Sequence, residues 1–171
     1  MATALLITGT VGVGKTSVAD AVGDLLAGAG VPNAVIDLDW LRRAWPAPPD
    51  DPFHGALTLR NLRAVAANFL DAGAERLVLA GVIEDREERR RHEEAVGVPM
   101  TVCRINVALP EVHRRLAGRH TDDASGLDWH RERAGELAEI LDKARVADFD
   151  VDGAHASIAE VAAKVLAGWR A

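Results

Sequence analysis

The chain carries one cysteine, Cys103, among 171 residues. One thiol can close no internal disulfide and build no cysteine-rich metal site, which fits a reducing, cytoplasmic setting. Positive charge is also short. The net charge of −6 leaves no chain-wide footprint for nucleic acid or for an anionic membrane. No apolar run approaches the roughly 20 residues that span a bilayer. The N-terminal MATALLITGT lacks the basic start and cleavage site of a secretory leader and reads as a strand. Lysine is scarcer still: Lys15, Lys143 and Lys164 stand against 17 arginines.

What is present is an ordinary globular balance, 49% apolar and 27% charged, at a length that suits one domain over 1–171. Ala4–Thr8, Leu77–Val82 and Met100–Val107 are short and apolar, as buried parallel strands are; Ala34–Leu38 and Ala147–Val151 are weaker versions. Helical stripes lie between them: Val18, Val22 and Leu26; Leu59, Leu62 and Phe69; Val112 and Leu116; Leu137 and Leu141; Ile158, Val161 and Val165. The alternation predicts an α/β fold, a mostly parallel sheet with helices on both faces. Two stretches, WPAPPDDPF (45–53) and RHTDDASGLD (119–128), read as lids rather than linkers.

The shortage of lysine makes the position of Lys15 informative. Gly9–Thr16, GTVGVGKT, fits G-x-x-x-x-G-K-[ST] between a strand and a helix. Glycines let successive amides turn toward phosphate oxygens without Cβ clashes. The helix that follows points its positive end at the same anion. Lysine is a compact charge on a flexible stem, where arginine's wide fork would crowd the loop. Thr10, Val11, Gly12, Val13, Gly14, Lys15, Thr16 and Ser17 are therefore the candidate residues for binding a nucleoside triphosphate, with the Thr16 hydroxyl offered to Mg²⁺. The bland alternative is an ordinary glycine-rich turn.

A guanine-reading switch would carry Asn-Lys-x-Asp late in the chain, and no such segment is present. A AAA-type motor needs a larger module and a strand ending in Asp-Glu, whereas RLVLAGVIED passes through Ala80-Gly81. Carboxylates come instead in AVIDLDWLRR. Asp37 and Asp39 are two apart at a strand end, so the pleat sends both side chains to one side. One can hold the metal's water shell and the other can accept the proton of an attacking hydroxyl; which does which stays open. The competing reading makes Asp39 a cap for the turn WLRR.

At this point the chain resembles the small P-loop kinases: adenylylsulfate kinase, shikimate kinase, chloramphenicol phosphotransferase and the nucleoside monophosphate kinases. VIDLDWLR looks like the Asp-x-Asp-x-x-Arg of adenylylsulfate kinases, with Asp37, Asp39 and Arg42 in the matching places. That likeness implies Asp39 near the acceptor hydroxyl as base, Arg42 on an anionic part of the acceptor, and Asp37 on the metal side as in shikimate kinases. RNLR is similar to their Asn-x-Arg and implicates Arg63; AGVIEDREER occupies the place of a further arginine loop and implicates Arg86. RLAGR resembles the lid arginines of adenylate kinases, which implies Arg115 over the adenine and Arg119 at the transferring phosphoryl. VDGAHAS is similar to the turn that grips adenine by backbone, which brings in Gly153 and His155. The family implies a P-loop NTPase three-layer sandwich, strand order 2-3-1-4-5, with a lid at about 119–130 and a substrate-side loop at about 45–55.

Other signals are discounted. His113, His120 and His130 are spaced by seven and ten, which gives no metal pattern on one helix, and surface histidines account for them. EDREERRRHEEAV mixes charge signs at helical spacing as a solvated helix does. Trp40, Trp45 and Trp129 are expected to pack rather than stack on a ligand. The reading is an ATP- and Mg²⁺-dependent phosphotransferase acting on a hydroxyl or phosphate of a small molecule. Nucleotide, sugar, sulfated nucleotide and antibiotic-like secondary metabolite remain open as acceptors. The alternative from another class is a regulatory NTPase with no acceptor.

Overall fold

The computed structural model describes residues 1–119 and 124–169. The elements run β1 (Thr3–Thr8), α1 (Lys15–Gly28), β2 (Asn33–Asp37), α2 (Leu38–Leu41), α3 (Gly55–Asp71), β3 (Arg76–Ala80), α4 (Arg86–Val96), β4 (Met100–Asn106), α5 (Leu109–Arg119), α6 (Ala124–Ala144), β5 (Phe149–Asp152) and α7 (Ile158–Gly168). The five strands form one sheet in the order β2-β3-β1-β4-β5, and each pairing is parallel. This is the P-loop kinase architecture and strand order expected from the sequence.

The apolar strands are explained by burial on both faces. In β1, Leu5 and Ile7 join the cluster that contains Val18 and Val22 of α1 and Val161 and Val165 of α7. Ala4 and Leu6 point the other way, into the cluster of Leu62 and Ala66 of α3 and Ala95 of α4. β3 divides in the same way, Val78 and Ala80 to one face and Leu77 and Leu79 to the other. The period of two thus sorts one strand into two cores. Fully burying each valine, leucine or isoleucine among them contributes roughly 1.5–3 kcal/mol.

Helix starts follow from local donors and acceptors. Asp85 caps α4 by accepting from Glu88 N at 2.7 Å, and Gly97 ends it at φ 77°. Asp51 accepts from Gly55 N at 2.7 Å and Ala56 N at 3.0 Å, which satisfies the first amides of α3. Those amides, Ala56 first and then Gly55, hold the Asp51 carboxyl below its usual range. Ser157 and Glu160 form a reciprocal capping box on α7.

Three boundaries differ from expectation by two residues or more, the first being the end of β3, at Ala80 rather than Val82. β5 begins at Phe149 rather than Ala147: the Asp148 amide still donates to Val102 O (2.8 Å), but its carboxylate accepts from Val102 N (2.8 Å) where a strand would offer a backbone carbonyl, and also binds Arg89 Nη2 (2.8 Å). The second lid stretch is not all loop: from Ala124 onward it is the first turn of α6. The rest of that expected lid, 120–123, lies outside the described residues. Among the described residues no helix is long and apolar enough to cross a membrane.

Candidate active site

The loop after β1 takes its shape from three glycines at positive φ: Gly9 (148°), Gly12 (85°) and Gly14 (93°). A Cβ on Gly9 would sit 2.8 Å from Ile105 O and 2.9 Å from Val13 Cγ2, so the loop lies hard against β4. Gly14 is the N-cap of α1 and supplies no side-chain cap, which leaves first-turn amides for an anion. Lys15 Nζ arches back over the loop, donating to Gly9 O at 3.1 Å and Thr10 O at 2.9 Å. Thr10 and Val13 are buried beneath it. Val11, Gly12, Gly14, Lys15, Thr16 and Ser17 face a cleft of about 1070 Å³.

The acidic segment meets this loop directly. Thr16 Oγ1 donates to Asp37 Oδ2 at 2.8 Å, and Asp37 Oδ1 accepts from Asp39 N at 2.8 Å. Asp37 is therefore the cap of α2, and Asp39 lies in its first turn. Two readings are corrected here. The cap is Asp37, not Asp39. The pleat ends at Asp37, so a helical turn, not strand alternation, carries Asp39 onward to the cleft. Asp39 is exposed and pairs with Arg42 at 3.5 Å, and both line the cleft. Asn61 Nδ2 donates to Leu41 O at 2.7 Å and pins the end of α2 to α3.

The cleft runs from the loop between the start of α3 and the middle of α6, with Asp51, Phe53 and Leu59 on one side and Trp129, Arg133 and Leu137 on the other. Arg133 pairs with Glu84 and stands 5.8 Å over the Phe53 ring. The tryptophans do not pack as expected: Trp40 is 68%, Trp45 93% and Trp129 52% exposed. Trp40 carries Arg43 over its ring at 4.4 Å, and Trp129 lines the cleft. Arg63 and Arg86 are exposed and do not line the cleft, so the structure does not bring them to Asp39. Arg89 is turned to Val146 O (2.6 Å) and Asp148, a tie between α4 and the start of β5.

On the opposite side of the loop, Arg115 Nη2 donates to Gly153 O at 3.0 Å and Nη1 to Val13 O at 3.5 Å. Glu111 holds that guanidinium at 2.8 Å. Hydrogen bonds from Arg114 and then Arg115 bring the Glu111 carboxyl down to about 2. One arginine thus joins α5, the loop and the turn that carries Gly153 and His155, the latter at φ 55°. Arg119 ends α5, and its side chain lies outside the described residues. Glu84, His92, Arg133 and Phe53 were not singled out individually from the sequence: Phe53 closes the proline-rich stretch before α3, and Glu84 and His92 fall in EDREERRRHEEAV, which reads as a solvated helix although His92 is buried.

No family model matches the chain. It is 34% identical over 139 residues to the adenylyl-sulfate kinase of Paraburkholderia xenovorans, covering 78% of this chain and 70% of that one. The chain belongs to the small P-loop kinase family. Its described fold superposes on the Mycobacterium tuberculosis APS kinase solved with AMPPNP and APS, with a TM-score of 0.63, 27% identity, and coverage of 97% of the kinase and 96% of that structure. The tunicamycin resistance protein of Deinococcus radiodurans shares the fold at a TM-score of 0.67 and 21% identity, covering 98% and 95%. The kinase is an ATP-dependent enzyme acting on a small molecule.

Proposed function

We propose that this kinase transfers the γ-phosphate of ATP to a hydroxyl of an acceptor held in the cleft beside Asp39, in a cytoplasmic setting. The observation that carries the reading is the Thr16–Asp37–Asp39 chain of hydrogen bonds, which ties the phosphate loop to the acceptor side. The loop amides and Lys15 hold the polyphosphate, and Ser17 lies at its edge. Thr16 and Asp37 fit a magnesium ion, since such sites use one or two protein oxygens and take the rest from phosphate and water. When bound, the ion neutralises charge on the β- and γ-phosphates.

Asp39 is the base. As the acceptor oxygen forms its bond to the γ-phosphorus, the bond from that phosphorus to the bridging oxygen breaks and ADP leaves. The hydroxyl proton passes to Asp39. Arg42 orients the Asp39 carboxylate at 3.5 Å and meets the acceptor. Arg119 supplies charge to the transferring group, and Arg115 with Gly153 and His155 frames the adenine. Arg63 and Arg86 take no part in this reading, because neither faces the cleft. Catalysis is positioning plus charge stabilisation, without a covalent intermediate.

The test is acceptor-dependent ADP release. Lys15→Ala is expected to lower it by at least about 10³-fold with the fold intact. Asp39→Asn is expected to lose acceptor-stimulated turnover by about 10²–10⁴-fold while ATP still binds. Undiminished turnover in either variant sinks the assignment, and turnover that no small molecule accelerates points to a regulatory NTPase.

A further inference from the structure

The wall of the cleft beyond the phosphate loop has a charge that an anionic acceptor does not match. Among the described lining residues there are six carboxylates, Asp39, Asp51, Glu84, Asp85, Glu87 and Glu88, and three arginines. Each arginine already faces a carboxylate: Arg42 with Asp39 at 3.5 Å, Arg91 with Glu87 at 3.0 Å, and Arg133 with Glu84. The other three carboxylates are hydrogen-bonded to backbone amides, which are neutral. Asp51 takes Gly55 N and Ala56 N, Asp85 takes Glu88 N, and Glu88 takes Glu84 N at 2.7 Å. Of these three, Asp85 and Glu88 have no ion-pair partner among the described residues, whereas Asp51 lies in the field of His54 and Arg42.

A second observation comes from His92. The ring lines the cleft and is 3% exposed. Nδ1 lies 2.8 Å from Glu88 O, and a carbonyl only accepts, so Nδ1 donates there; in the tautomer with its one proton on Nδ1 the lone pair is on Nε2. Nε2 is buried and has no hydrogen-bond partner. A buried unpartnered acceptor is unfavourable unless a ligand supplies the donor. Carboxylates and imidazole together make a surface of hydrogen-bond acceptors, bordered by the apolar faces of Phe53 and Trp129.

We propose that the acceptor is an amine-bearing polyhydroxyl compound, an amino sugar or aminocyclitol. Its ammonium group is met by Asp85 and Glu88, and one of its N–H or O–H donors by His92 Nε2. This rests on the reading of the cleft as the acceptor site and specifies its charge preference. An anionic acceptor would meet like charge on that wall, whereas an ammonium meets opposite charge there.

The test uses two sets of compounds matched in skeleton and differing in charge, assayed by ADP release: glucosamine, glucose and gluconate; 2-deoxystreptamine, myo-inositol and inositol 1-phosphate. Adenylylsulfate is a further anionic acceptor. In at least one set the amine is expected to exceed its neutral and anionic partners in kcat/KM by about tenfold or more. Glu88→Gln can still accept from Glu84 N but carries no charge. It is expected to reduce that preference about tenfold through KM, with kcat retained. His92→Leu is expected to raise KM for the amine, and His92→Gln, which keeps an acceptor, to raise it less.

Preference for gluconate, inositol 1-phosphate or adenylylsulfate overturns the inference, as does equal use of all charges or turnover of no compound. Calorimetry with ATP and magnesium runs alongside. Bound ATP with an anionic acceptor leaves the kinase assignment standing and removes only the amine. Failure to bind ATP removes both.

Discussion

Asp37 shows how much one side chain can link. One carboxylate oxygen receives the Thr16 hydroxyl and the other receives the amide of Asp39, so the loop, the end of β2 and the start of α2 share a single group. Asp37→Asn preserves the hydrogen-bonding shape and removes the charge. We expect the magnesium concentration for half-maximal turnover to rise at least about tenfold, with ATP affinity in the absence of metal little changed. A magnesium titration that matches the unmodified enzyme would show that Asp37 is only a cap. The loop was readable from eight residues because positive-φ turns and close backbone approach restrict residue type locally. Arg63 is turned from the cleft for a comparably local reason. Its neighbour Leu62 is fully buried, and one step along a helix turns a side chain about 100° away from the core. His92 and the Arg133–Glu84 pair could not be read at all, because that pair joins positions 49 apart that only the tertiary fold brings together.

Among the elements, α7 closes the apolar layer over α1 through Val161, Ala162 and Val165, and its start is fixed by the Ser157–Glu160 box. The box hydrogen bonds, Ser157 N first and then its hydroxyl, hold the Glu160 carboxyl below its usual range. Ser157→Ala is expected to lower stability by about 1 kcal/mol, a fall in Tm of about 2–4 °C. Calorimetric melting checks it, and an unchanged Tm would mean the box adds nothing to the packing of Val161 and Val165. The three central strands were legible as apolar runs because they are buried on both faces, whereas the edge strands β2 and β5 alternate in burial and read more weakly. The first turn of α6 was not, because ASGLD carries loop-like residues and is helical here as the start of a 21-residue element.

For the whole molecule, surface charge sets the response to acid. Glu111 is brought down to about 2 by Arg114 and Arg115, and Glu87 to about 2 by Arg90 and Arg91, from an ordinary value of 4.5. A depressed carboxyl adds stability above its unfolded value and loses it as pH falls through the folded value. The contribution of Glu111 is thus full above about pH 5 and fades between 4.5 and 2. Urea midpoints of the unmodified enzyme and Glu111→Gln should differ at pH 7 and converge toward pH 2, with salt narrowing the gap because Arg114 faces solvent. A gap that widens in acid would contradict the assignment. The strand that leads into the phosphate loop has a neighbour on either side, β3 and β4, and the loop itself leans on Ile105. The nucleotide cradle therefore cannot slacken ahead of the sheet's middle: during heating, the last measurable turnover and the last intact core should vanish together, which makes catalysis itself a gauge of how much folded enzyme is left.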